Sequence, residues 1–188
     1  NIGIYSLFYA HVKDGNVYSF EPSVFALRQL AKNVSINKLS KRITIISNPL
    51  SDRTGINSFI NGSADEGGAL SAFGVEYGSN NEPMNSDIKY SILGFSLDDL
   101  FEKNILKETP SLIKIDVDGI EHLILKGASK TLESDTLKSL YIEVNDNFEE
   151  QSSQVRTILE AAGFKLKEKR TSDTSDLCTI FNQIWIKQ

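Results

Sequence analysis

One cysteine in 188 residues, Cys178, excludes an internal disulfide framework and cannot by itself build a zinc site. That scarcity fits a reducing compartment, with the cytoplasm as the default. Long apolar runs are also missing. The most apolar stretches, Ile4–Val12 and Leu137–Val144, fall well short of the roughly 18 residues a membrane-spanning helix needs. Positive charge is in deficit, with 20 Lys and Arg against 25 Asp and Glu for a net charge of -5. No basic stripe is available to neutralise a phosphate backbone, which argues against nucleic acid as a partner. Internal repeats and low-complexity tracts are absent as well.

What is present reads as one globular domain over residues 1–188. Hydrophobic residues make up 40% and charged residues 24%, close to ordinary globular composition. Val17–Phe20 is rich in β-formers and stops at Glu21-Pro22. From Ser23 to Asn37 the residues Phe25, Leu27, Leu30, Val34 and Ile36 recur at helical spacing, with Ser23 as N-cap. Ile43–Ile46 suits a buried parallel strand. From Gly55 to Leu93 the texture turns to Gly, Ser, Asn and acids, which predicts a long excursion, with a strand at Ser58–Ile60 and a loop insert at 62–90 acting as a lid or acceptor-binding segment.

Order resumes at Ser96, whose spacing to Asp99 resembles a capping box. A strand is expected over Leu112–Val117, a helix over Ile120–Leu132, a strand over Leu140–Val144 and a helix over Val155–Ala162 closed by Gly163. Phe164–Glu168 and Ile180–Ile186 read as two closing strands. The alternation predicts an α/β fold with a mostly parallel, helix-covered sheet and an antiparallel C-terminal hairpin at one edge.

In such sheets ligands sit beyond the carboxyl ends of the strands. Glu21 ends one strand and lies 18 residues after Gly3, close to the gap between a glycine turn and the acid that accepts ribose hydroxyls. Asp116, Asp118 and Glu121 put three acids within six residues across a strand end and a helix start, with Glu143 and Asn145 on the next strand. Asp116 is expected to terminate a buried strand, where an unpaired charge is costly unless a site uses it. His122 follows directly as a second candidate base, and Lys114 is expected to reach the far end of the sheet or a buried acid.

The strings Phe20-Glu21-Pro22, Ile113-Lys114-Ile115-Asp116-Val117-Asp118-Gly119-Ile120-Glu121, Lys126-Gly127-Ala128 and Tyr141-Ile142-Glu143-Val144 resemble the FkbM family of methyltransferases over nearly the whole chain. Asp118 stands where the family's middle motif usually has Glu. The family's first motif normally reads Asp-Val-Gly-Ala-Asn-x-Gly, so Asn1-Ile2-Gly3 resembles its tail. On that match the chain is expected to begin inside the cofactor loop, with the first strand of the fold missing.

The resemblance implies a class I, Rossmann-like fold, S-adenosylmethionine as methyl donor, and O-methylation of a sugar, glycan or natural-product hydroxyl. It implies that Asn1 and Gly3 border the methionine half of the cofactor, that Glu21, followed by Pro22, holds the ribose, and that Ser51 and Asp52 lie near the adenine. Asp116 would stand beside the transferred methyl, with Asp118, Glu121 and Glu143 lining the acceptor side. Asp116 is the first choice of base and His122 the alternate. A divalent cation held by the clustered oxygens is a less favoured route to the same deprotonation. Two other readings stay open from the residues alone: an NAD-type oxidoreductase or epimerase using Glu21 on a nucleotide ribose, and a non-catalytic binding module with this fold.

Overall fold

The computed structural model describes residues 1–171 and 179–188, so Cys178 lies outside the described residues. Gly3, at a left-handed φ of 89°, leads into α1 (Ile4–Val12). β1 (Val17–Phe20), α2 (Val24–Ile36) and β2 (Ile43–Ile46) then form a strand–helix–strand unit whose strands pair in parallel, from Val17 opposite Ile43 to Phe20 opposite Ile46. Ala10, Leu30, Val34, Leu39 and Ile43 bury one another between the two helices and this pair. Ser23 occupies the expected N-cap position of α2, but its side chain makes no capping bond. Its backbone N–H donates to Glu21 Oε1 instead.

The segment after β2 holds more order than its polar composition predicts. β3 (Gly55–Ile60), β4 (Ala72–Phe73) and β5 (Lys89–Gly94) form an antiparallel sheet in the order β4-β3-β5. In β5 the exposed Lys89, Ser91 and Leu93 alternate with the more sheltered Tyr90, Ile92 and Gly94. That is a period-two pattern which the surrounding Asn, Ser and acids mask. Between these strands, residues 61–71 and 74–88 run as turns and bends.

α3 (Leu97–Glu102) starts as expected, with Ser96 Oγ accepting from Asp99 N. β6 (Leu112–Ile115) follows, then α4 (Glu121–Lys126) and α5 (Ser129–Glu133), where the sequence predicts one helix. The break sits at Gly127 and Ala128, and a Cβ at 127 would lie 2.0 Å from the Ser51 carbonyl oxygen, so the Ser51 loop approaches as closely as only glycine allows. Asp98 then caps α5 from outside, its carboxylate accepting from the Lys130 and Thr131 amides.

β7 (Ser139–Asn145), α6 (Glu149–Ala161), β8 (Phe164–Thr171) and β9 (Ile180–Lys187) complete the chain. Their sheet has the order β6-β7-β9-β8, with β6 and β7 parallel and β9 antiparallel to both its neighbours. The fold is α/β with the expected C-terminal antiparallel hairpin, but its sheets are mixed rather than mostly parallel: among the described strands β1-β2 and β6-β7 pair in parallel, with an isolated parallel bridge between Leu50 and Phe95. The main core gathers Ile115, Leu140, Ile142, Val144 and Trp185 from this sheet against Leu100, Ile124, Leu132, Val155 and Leu159 from the helices. Burying Leu140, Ile142 and Val144 on one face turns Tyr141 and Glu143 to the other.

Candidate active site at the strand ends

Glu21 leaves β1 at its carboxyl end, 6% exposed. One carboxylate oxygen accepts from the Ser23 amide at 2.8 Å, and the other pairs with the Asn1 amino group. Asn1, Ile2 and Gly3 therefore lie beside Glu21, and the second oxygen is the one that faces a partner outside its own turn. Tyr90 of β5 reaches the Pro22 carbonyl at 3.4 Å and closes this side.

Asp116 and Glu143 come together because β6 and β7 run parallel in register. Ile115 pairs with Ile142, so the next residues of the two strands stand side by side. Burial first, and then the Asp116 carboxyl within hydrogen-bonding reach, push Glu143 up to about 7. Asp116 is exposed rather than buried as expected, because β6 ends at Ile115 and the chain turns out of the core. Its charge is balanced: Lys114, two residues back on the same face of β6, forms an ion pair with it. The Lys114 ammonium also lies 4.1 Å from the Tyr5 ring centre and 5.4 Å from that of Tyr141. Burial and the adjacent Tyr5 push the Tyr141 hydroxyl up to about 12.

Asp118 and Glu121 serve the backbone around them. Asp118 adopts a left-handed φ of 61°, a conformation that short Asp tolerates better than longer side chains do. Its Oδ2 accepts from the Leu70 amide at 2.8 Å, and burial raises its carboxyl above the ordinary range. Glu121, 2% exposed, turns inward and accepts from the Val117 amide at 3.2 Å and the Gly119 amide at 3.1 Å. Gln151 of α6 donates to the same carboxylate and accepts from the Asn145 amide at 3.0 Å. Burial pushes Glu121 up to about 7.

The segment between β3 and β5 lies across these strand ends. Glu66 pairs with Arg28 of α2, and the Gly67 carbonyl accepts from the Asn1 side chain. Leu70 meets Asp118, and Gly78 packs so closely on Gly119 that a Cβ at 119 would lie 2.9 Å from its oxygen. Asn145 Nδ2 donates to Ser79 O at 2.9 Å and to Asn80 Oδ1 at 3.1 Å. Tyr77 stacks edge-on against Phe148, and Phe148 in turn against His122.

His122 lies apart from the carboxyl pair. It is 2% exposed, burial lowers its imidazole below the ordinary value, and its Nδ1 has no hydrogen-bond partner among the described residues. Ser51 and Asp52 sit where their loop meets Gly127, with Ser51 Oγ donating to Asp52 Oδ1 at 3.2 Å. Among the described residues no group of three or more His, Cys, Asp or Glu side chains converges to hold a metal ion. No helix is long and apolar enough to cross a membrane. Surface depressions beside Glu160–Leu166 and at Met84–Asp87 contain no member of the strand-end cluster.

A family model described as the methyltransferase FkbM domain matches residues 1–166. The chain belongs to this family. No curated protein matches it. The FkbM domain is similar to the crystal structure of the methyltransferase FkbM from Methylobacillus flagellatus KT, with 16% identity and a TM-score of 0.64. That match covers 97% of this chain and 40% of the other, so the chain spans less than half the length of that relative. An rRNA methylase from Streptococcus thermophilus matches over 100% of this chain and 81% of its own, with 15% identity and a TM-score of 0.55. At these identities the likeness is one of fold.

Sequence reading gave no role to Tyr5, to the Tyr141 side chain or to Gln151. Tyr5 carries no motif and meets Lys114 and Tyr141 only through tertiary packing. The strap, the segment between β3 and β5, falls in the insert expected at 62–90, but its contacting residues Leu70 and Gly78–Asn80 lie in a stretch without periodicity. Gln151 did leave a signal: with Val155 and Leu159 it forms the buried i, i+4, i+8 stripe of α6, and a polar residue on such a stripe demands partners.

Proposed function

We propose that this FkbM domain uses S-adenosylmethionine to methylate a hydroxyl of a sugar, glycan or natural-product acceptor. The observation that carries the reading is the Asp116–Glu143 carboxyl pair, side by side where β6 ends against its parallel neighbour β7. The donor set fits the cofactor. Glu21 presents a buried carboxylate, with one oxygen fixed by the Ser23 amide of its own turn and the other turned toward the Asn1–Gly3 turn. In this reading Glu21 accepts the ribose hydroxyls, Asn1 and Gly3 border the methionine portion, and Ser51 and Asp52 face the adenine. When bound, the cofactor supplies an electrophilic methyl group on sulfur.

The protein's own work is to position and to remove a proton. Holding acceptor oxygen and methyl carbon at near-attack distance supplies most of the rate. With Glu21, Asn1 and Gly3 holding the cofactor that would supply the methyl group, the carboxyl pair would take the proton that the acceptor hydroxyl gives up on methylation. A carboxyl displaced to about 7 is near the optimum for a base at neutral pH. Lys114 keeps the pair from accumulating uncompensated charge, and the strap over the strand ends shields the acceptor from water. The net charge of -5 favours a small or glycan acceptor over nucleic acid, and the single cysteine fits a cytoplasmic setting.

Calorimetry with S-adenosylhomocysteine tests the cofactor assignment. Glu21→Ala is expected to weaken binding at least about tenfold, roughly 1.4 kcal/mol for lost charge-assisted hydrogen bonds. Unchanged affinity removes Glu21 from the cofactor site.

A further inference from the structure

Gln151 lies at the centre of the molecule, 1% exposed, on a helix that contributes nothing else to the strand-end cluster. Its amide orientation is fixed from both sides. The Asn145 N–H can meet only the oxygen, at 3.0 Å, which leaves the nitrogen to donate to Glu121 Oε2. Glu121 in turn accepts from the Val117 and Gly119 amides. A continuous buried path therefore runs from the turn after β6, through Glu121 and Gln151, to the end of β7. Asp116 is one residue before Val117, and Glu143 is two residues before Asn145.

We infer that Gln151 is a positioning residue that sets the separation of Asp116 and Glu143 by bracing the two strand ends against each other. The inference rests on the reading of that pair as the reactive carboxyls. Within the register-paired part of the strands the separation is set by the ladder, but the ladder stops at Ile115 opposite Ile142. Past that last pair the register of β6 and β7 has no further partners, and the Glu121–Gln151 bridge links the turn after β6 to the end of β7. A buried bridge of this kind, with every polar atom satisfied, is stiff because breaking it leaves a donor or an acceptor unpaired. An apolar residue at position 151 would fill the same stripe of α6, so packing alone does not call for Gln.

The test reads the pair itself and needs no acceptor. Carboxyl carbon NMR titration follows Asp116, Glu121 and Glu143 in the wild type and in Gln151→Met. The groups facing Glu121 are Asp118 on its own turn, Tyr77 from the strap and Gln151 from α6. Those facing Glu143 are Asp116, Asp118 and Lys114, with Tyr141 on its own strand. Losing the bridge lets the pair separate, so the Glu143 midpoint is expected to fall from about 7 toward its ordinary value by half a unit or more. Glu121, deprived of a donor to its charged form, is expected to move up.

A Glu143 midpoint unchanged in a variant that melts cooperatively overturns the inference and leaves Gln151 as a structural cross-link. Should Gln151→Met fail to fold, Gln151→Leu removes both polar contacts with a smaller side chain in the same stripe, and the same two shifts are expected. Titration of S-adenosylhomocysteine into the wild type separates the two levels: absence of binding there contradicts the proposed function, whereas the carboxyl titration alone decides the role of Gln151.

Discussion

Glu121 and Glu143 are both pushed to about 7, and the two displacements have different chemical meanings. Glu143 is half-buried beside another carboxyl, so its proton can be exchanged with an acceptor. Glu121 is enclosed by its own turn and by Gln151, so its proton bears on stability. An acid whose folded value exceeds its unfolded value near 4.5 makes the fold bind more protons than the unfolded chain. Stability contributed this way is full below about 4.5 and is lost as pH rises to about 7, with a ceiling of about 3 kcal/mol. Denaturation across that window is expected to show falling stability, and Glu121→Gln is expected to flatten the slope; an equally steep profile in the variant contradicts the assignment.

Turnover is expected to follow the opposite course. It should rise as pH passes through about 7, because the base must be deprotonated. Asp116→Asn and Glu143→Gln are each expected to lower the rate by 10²-fold or more with cofactor affinity retained, and a rate within threefold of wild type in both would remove the pair as base. At this scale the sequence was informative about which acids cluster, and it set Asp116 beside the methyl with Asp118, Glu121 and Glu143 on the acceptor side. It held no sign of the inward turn of α4 that buries Glu121 while Asp116 stays exposed.

Among the elements, the strap between β3 and β5 and the break at Gly127 are where local sequence and structure part. Helical periodicity runs unbroken through Ile120–Leu132, and nothing local records that the Ser51 carbonyl will press against residue 127. Gly127→Ala forces a Cβ into that oxygen and is expected to cost about 1–3 kcal/mol in chemical denaturation, with a loss below about 0.5 kcal/mol contradicting the close approach. Among the attachments of the strap are the hydrogen bonds from the Leu70 amide to Asp118 and from Asn145 to Ser79 and Asn80. Asn145→Ala is expected to speed hydrogen exchange at Leu70 and across 78–81 while leaving β3 and β5 protected. Uniform acceleration over the whole chain would indicate general destabilisation instead.

At the scale of the molecule, the α/β alternation, the parallel pairs and the C-terminal hairpin were all legible, because their strands carry short β-forming runs and the helices between them keep their spacing. Of the small antiparallel sheet only the end of β3, Ser58–Ile60, was legible, since its exposed alternate residues make the rest look polar. The central claim is that Glu21, Asp116 and Glu143 serve one site, their two sheets being joined by α1, where Ser6 bonds Ser19 of β1 at 3.0 Å and Tyr5 lies against the Tyr141 ring of β7. Calorimetry of S-adenosylhomocysteine against NAD tests it most directly. Micromolar binding of the former with none of the latter is predicted; binding of neither, or of NAD alone, would contradict it.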